Sequence, residues 1–375
     1  MAQILTPTSI VNDAAAAIVE IEKEREDKPH GLKTRFPILN RAVMRHFRFG
    51  MIYAMCGASG SGKSYLANMM RTDFTDQFPM IVDVTGIPSN VVTTVLKHGQ
   101  FKIGSNNTIV RQPLNADIDF EVLNLHFGYE MHNKWELLRT VSTLTGWAFE
   151  YLLSSYGVRT DPNSSDFVYN KISDGELELV RRITKAYIHK RPMLVFKHPG
   201  SLTSMYQTVA YYKNKFPKRK LIVSNDHTLL HKKEGEKDDQ ELVDEGIKVF
   251  IRIRDDFDAM VIPIAQTNSE MEKDERKSKP ELHYPSKKDL YRGGQFYQGC
   301  DWVFIQIMPS KFGIEYYGPK QIPTHKLIHL AAVKSRYAID GQIWFTNHLD
   351  KGKLVTAIHN DTINEVTELS NLNGY

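Results

Sequence analysis

Residues Gly57, Ala58, Ser59, Gly60, Ser61, Gly62, Lys63 and Ser64 fit the spacing G-x-x-x-x-G-K-[S/T]. Glycines at these positions let the backbone curl until successive N–H groups point at one centre, which suits phosphate oxygens. The surroundings fit that chemistry. An apolar run, Met51 to Cys56, precedes the turn, and a helical run, Tyr65 to Arg71, follows it and brings the positive end of a helix to the anion. In this reading Lys63 reaches the β- and γ-phosphates, Ser64 ligates Mg²⁺, and Tyr65 completes the nucleotide-binding set, with ATP as ligand.

Phosphoryl transfer to water needs an acid for the metal, a group that orients water, a γ-phosphate sensor and a positive charge for the transition state. Asp226, after the apolar run Leu221 to Ser224, is placed to hold the metal, although Asn225 competes for that role. Glu130 stands just beyond the run Leu123 to Phe127, where a carboxylate could polarise the attacking water or serve as a helix-start carboxylate. Gln266 ends the run Val261 to Ala265 and could sense γ-phosphate, reporting through Asn268 to the loop beyond.

The elements that must hold these groups read as an α/β chain. Short apolar runs separated by helical stretches predict a mainly parallel sheet with crossover helices. Five core strands are expected at Met51–Cys56, Leu123–Phe127, Leu221–Ser224, Met260–Ala265 and Trp302–Ile307, with an extra strand at Met193–Phe196. His329–Val333 and Gln342–Asn347 follow as strands around a turn at Tyr337–Gly341. The charged stretch Glu272–Lys288 reads as a mobile loop. Near the N-terminus Ile10, Ala14, Ile18 and Ile21 share one helical face that must dock on the main domain or a neighbouring subunit. The expected division is a linker helix within 1–34, a motor domain over 35–358 with an inserted segment at 78–112, and a polar tail over 359–375.

At 375 residues, with 41% hydrophobic and 25% charged side chains, the composition is that of a folded globular protein. No long uncharged apolar stretch or signal peptide is visible, and two cysteines, Cys56 and Cys300, are too few for a disulfide framework, so a cytoplasmic protein without a membrane partner is expected. A net charge of +4 permits a polyanion partner without requiring one.

The order of the pieces resembles the RecA-like motor domain of replicative hexameric helicases of the DnaB type, from about Ser9 to Leu354. Arg35-Phe-Pro-Ile-Leu-Asn-Arg41 with Phe49-Gly50 is similar to that family's lead-in to its P-loop, and Phe127-Gly-Tyr-Glu130-Met131 to the motif whose glutamate is the catalytic base. Ala265-Gln266-Thr-Asn268 is similar to its sensor element. Asp289-Leu-Tyr-Arg292-Gly293-Gly294 is similar to the motif that opens onto its DNA-binding loop. Val333-Lys334-Ser-Arg336 resembles the lysine and arginine that a neighbouring subunit inserts into the ATP site. On residues alone, Lys334 and Arg336 could equally be a solvated strand edge.

The resemblance implies a ring, hexameric in the family, that hydrolyses ATP between subunits and moves on single-stranded DNA, with a primase or helicase loader as a possible partner. It departs at the acid, which falls one residue later than usual in Ser224-Asn225-Asp226-His227, and in lacking the N-terminal primase-binding domain of cellular members, a layout similar to bacteriophage or mobile-element helicases.

Lys273, Arg276, Lys277, Lys279, Lys287 and Lys288, followed by Arg292, Gly293 and Gly294, crowd one loop and suit phosphate tracking without base readout, although interspersed acids also fit a solvated surface. The histidines show no metal-ligand spacing. Two other functions share these features: a recombinase filament, and a nucleotide-gated scaffold with little turnover.

Overall fold

Nine strands form the central sheet of the computed structural model, which describes residues 10–26, 30–129, 133–155, 157–159, 166–190, 192–233, 235, 238–291, 293–337, 341–348 and 353–356. They are β1 (Tyr53–Gly57), β2 (Val122–Gly128), β3 (Met193–Phe196), β4 (Lys220–Asp226), β5 (Met260–Gln266), β6 (Trp302–Ile307), β7 (Leu327–Ser335), β8 (Gly341–His348) and β9 (Lys353–Thr356). The spatial order is β9-β8-β7-β6-β1-β5-β4-β2-β3. Pairing is parallel from β6 through to β3 and antiparallel across β6, β7, β8 and β9. All the strands expected from the sequence are present. The addition is β9, whose four residues carry too little pattern to be read alone.

Burial on both faces explains why the parallel strands are continuous apolar runs. Side chains alternate between the faces: Ala54, Leu221, Val223, Val303 and Ile305 join one core, while Tyr53, Met55, Ile222, Trp302 and Phe304 join the other. Seven helices matter for the site and its surroundings: α1 (Ile10–Arg25), α2 (Lys63–Phe74), α3 (Ser89–Lys97), α4 (Asn133–Thr145), α5 (Asp174–Lys190), α6 (Leu202–Lys215) and α7 (Asp239–Phe257). The capping box of Asp238 and Glu241 starts α7.

Residues 78–112 build a small three-stranded antiparallel sheet of their own, Met80–Asp83, Thr108–Arg111 and Lys102–Ile103, with α3 beside it. A third apolar cluster, with Val82, Val95, Phe101, Leu179 and Ile183, packs beneath it. The loop from Glu272 to Lys288, expected to be mobile, is instead folded into short helical turns. Arg276 pins it by donating to Asp289 and to the carbonyls of Leu282 and Tyr284.

Helix α1 touches the main domain by one side. Its polar side meets the main domain, through Glu24 to Arg48 at 2.6 Å and to Arg45 at 3.5 Å. On the apolar side Ile18 is 57% and Ile21 68% exposed among the described residues, which leaves a neighbouring subunit as the expected cover.

His329 sits fully buried on β7, stacked 4.1 Å from the Trp344 ring and 2.9 Å from the Tyr317 hydroxyl. Burial lowers its pKa to about 3. Between its ordinary value of 6.5 and that lowered one, the unfolded chain takes up a proton that the folded chain refuses, so stability falls as pH falls. From about pH 7 to 5 the expected loss is about 2 kcal/mol from this residue, and His329→Gln should flatten the pH dependence of the urea midpoint.

Candidate nucleotide site

The P-loop turn joins β1 to α2. Gly60 and Gly62 adopt φ of 74° and 86°, the left-handed region that side chains other than glycine rarely enter. Gly57 is close-packed as well, since a Cβ there would stand 2.6 Å from Ser61 Oγ and 2.7 Å from the Gln306 carbonyl. Gln306 on β6 fastens the turn by donating to the Ser61 carbonyl at 2.7 Å. Burial raises the neighbouring Cys56 thiol to about 12, leaving it a neutral packing residue.

A cleft of ≈ 400 Å³ opens on this turn, lined by Ser59, Gly60, Gly62, Lys63, Ser64, Tyr65, Arg139, Ser142, Phe149 and Asp226. The structure therefore gathers Lys63 and Ser64 from the start of α2 and Asp226 from the end of β4. It also separates Asp226 from its neighbour. Asn225 points to the other face of β4, where its Oδ1 lies 2.9 Å from His231 Nε2, so the acid at 226 is the one that reaches the cleft.

The donor set fits a magnesium nucleotide. Lys63 is buried, and neither it nor Arg139 has a side-chain hydrogen bond or ion pair to the described residues. The buried Ser61 Oγ likewise lacks a hydrogen-bond partner. Two cations without partners and an orphaned hydroxyl beside a tight turn suit a polyanion. Among the described residues no three His, Cys, Asp or Glu side chains form a metal cage. Ser64 and Asp226 would instead hold Mg²⁺ jointly with phosphate oxygens, as that ion prefers.

Arg139, Ser142 and Phe149 were not found by sequence reasoning. The available signal was Arg139 and Ser142 three apart on α4, among the apolar residues Leu137, Leu138, Val141 and Leu144. Arg139→Ala is expected to weaken ATP binding about 10- to 100-fold, the worth of one charge-assisted hydrogen bond, measured by fluorescent-nucleotide titration.

Gln266 and Asn268 stand apart from the cleft. Gln266 does not line it, and its Nε2 lies 2.9 Å from Nε2 of His227, a residue held at φ 70°. Asn268 continues from β5 into the basic loop, accepting from Glu270 N at 3.0 Å and donating to the Lys288 carbonyl at 2.7 Å. The Tyr65 hydroxyl turns to Thr143 at 2.9 Å. Glu130 and Arg292 lie outside the described residues.

Lys334 and Arg336 are far along the sheet from their own P-loop. Gly57 pairs with Gln306, but Lys334 pairs with Val303, three residues back along β6, or about 10 Å. Lys334 Nζ donates to the carbonyls of Tyr297 and Gln298, and Arg336 Nε lies 3.3 Å from Asp301. The Arg336 side chain remains 43% exposed.

In the basic loop Lys273, Lys277 and Lys279 pair with Glu270, Asp274 and Glu275. Lys287 and Lys288 are exposed and form no ion pair among the described residues. Arg276, expected to contact DNA, is turned inward onto Asp289, which burial and a Ser286 cap also fix. Gly294 faces open space, whereas Gly293 packs against Leu290.

No protein-family model matches the chain, and no curated protein matches it in sequence. Among solved structures it is similar to the ATPase domain of a phage DnaB-like helicase, with a TM-score of 0.65 at 16% identity over 94% of this chain and 100% of that one. It is also similar to a DnaB-like replicative helicase, described with its interactions with primase, with a TM-score of 0.62 at 17% identity over 93% of this chain and 67% of that one. No helix among the described residues is long and apolar enough to cross a membrane. The glycine-lined cleft at the end of β1 and the nine-stranded sheet behind it thus belong to a chain with the RecA-like fold found in the ATPase domains of DnaB-like replicative helicases.

Proposed function

We propose that this chain is the ATP-hydrolysing motor of a ring-forming DNA helicase that travels on single-stranded DNA. The observation that carries the nucleotide reading is the cleft itself, where Lys63, Ser64 and Asp226 meet around a glycine turn. Lys63 binds and orients the phosphates, while Glu130, just past β2, orients water for attack. When bound, Mg²⁺ supplies Lewis-acid stabilisation of the phosphate oxygens.

The ring reading rests on Lys334 and Arg336. They stand too far from their own P-loop to serve it, so they serve the cleft of an adjacent subunit, with hexameric closure as in the family resemblance. Asp301 and the Tyr297 and Gln298 carbonyls hold them ready at the surface. The exposed apolar side of α1 supplies a second contact between subunits. A primase or loader would dock on the assembled ring. Asp226 in the cleft favours turnover over a nucleotide-gated scaffold.

The test is ATP hydrolysis with and without single-stranded DNA, on the wild type and Glu130→Gln, with mass photometry in ATP. DNA-stimulated turnover, lost in the variant, together with ring-sized particles supports the motor. Assembly without turnover in either protein would reject it.

Lys287 and Lys288 are the foremost DNA-phosphate contacts in this reading, with Lys273, Lys277 and Lys279 exchanging weak surface ion pairs for phosphates. Replacing both Lys287 and Lys288 by glutamine should reduce the slope of log affinity against log salt by roughly 1.4, from about 0.7 per phosphate contact on a single strand. Fluorescence anisotropy across a salt series reads this directly.

A further inference from the structure

The facing sides of α2 and α4 meet through polar side chains. Tyr65 Oη lies 2.9 Å from Thr143 Oγ1, Asn68 Nδ2 donates to Thr140 Oγ1 at 3.2 Å, and Arg71 donates to Glu136 Oε1 at 3.1 Å. Residue numbers rise along α2 as they fall along α4, so these are three rungs between antiparallel helices. All six residues are buried. At the last rung the other arm of Arg71 reaches His126 Nδ1 at 2.8 Å, and His126 in turn lies 2.9 Å from Ser224 Oγ. One cluster thus ties the P-loop helix to α4, to β2 and to β4, the strand that ends in Asp226.

Stability alone does not account for it. A buried arginine–glutamate pair loses hydration that two apolar side chains of the same size would not, and such replacements are often neutral or stabilising. Burial would raise the Glu136 carboxyl, yet Arg71 and His126 outweigh that and hold it down to about 2. What such a pair does supply is register, because a displaced helix would leave buried charges without partners. The register matters here because Arg139 follows Glu136 by three residues on α4 and lines the same cleft as Lys63.

We propose that Arg71 and Glu136 are positioning residues, which fix α4 against the P-loop helix so that Arg139 stands at the right distance from phosphates bound by Lys63. This rests on the nucleotide reading above. Neither residue lines the cleft. A shift of about 1 Å in the Arg139 wall would cost roughly 100-fold in turnover.

The test is the paired replacement Arg71→Met with Glu136→Met in the full chain, beside the near-isosteric Glu136→Gln should the pair disturb folding. Hydrogen exchange is followed by mass spectrometry with and without Mg-ATP, and steady-state turnover is measured on the same proteins. In the wild type, nucleotide should slow exchange in both 63–74 and 133–145. In either variant, protection of 63–74 should persist while that of 133–145 is lost, and kcat/KM should fall about 100-fold, with KM for ATP rising as the Arg139 contact is lost. A variant that keeps nucleotide-dependent protection of 133–145 and wild-type kcat/KM would overturn the proposal, leaving the cluster as packing. Wild-type protection confined to 63–74 would also overturn it, while sparing the nucleotide reading. Absence of protection in both segments of the wild type would reject the nucleotide reading itself.

Discussion

Lys63→Ala should lower ATP turnover by at least about 100-fold, because it removes a buried cation aimed at the charge that develops during phosphoryl transfer. The structure makes this loss hard to compensate. Arg139, the other cation at the cleft, is on the opposite helix, and Asp226 would then face the phosphates with less opposing charge. The variant should still fold, since Lys63 has no side-chain hydrogen bond or ion pair to the described residues. Circular dichroism and hydrolysis assays on one preparation separate the two effects. A variant that folds and still turns over at the wild-type rate would remove the P-loop from the mechanism.

Arg336→Ala is the second large effect. An arginine supplied across an interface to phosphoryl transfer is worth about 10³- to 10⁵-fold, so the pure variant should be nearly inactive even where ATP still binds. Mixing gives the diagnostic. Inactive Lys63→Ala subunits still carry Arg336, and inactive Arg336→Ala subunits still carry an intact cleft, so mixed rings should recover part of the turnover that neither protein has alone. Undiminished activity of pure Arg336→Ala would leave the residue as the partner of Asp301 and nothing more.

Legibility in the sequence followed the range of the interaction. The P-loop is a local pattern whose strand and helix adjoin it in the chain, and it was readable to the residue. The choice between Asp226 and its competitor Asn225 was less local, because it turns on which face of β4 each occupies. That is settled by pairing with Pro263 and Ile264 on a strand far away in sequence. Arg276 looked like its lysine neighbours as a charge, yet its planar fork matches Asp289 and the two carbonyls that make it an anchor. The amphipathic pattern of α1 correctly marked a helix, but the pattern carries no information about which molecule covers it. Arg139 was missed because the wall it builds comes from a helix beyond Glu130, and nothing in its own segment names the cleft.

Strand β1 is hydrogen-bonded on one side to β5, with Met55 opposite Ile264, and on the other to β6, with Met55 opposite Phe304. Both partners lie more than 200 residues further along the chain. The glycine turn that makes the sequence recognisable near its start therefore cannot take up its shape until the last third has been synthesised and has joined the sheet. Such distant pairings make folding slow and expose unpaired strand edges while they wait. A ribosome-bound chain stalled before residue 307 would carry the complete phosphate-binding motif and bind no nucleotide.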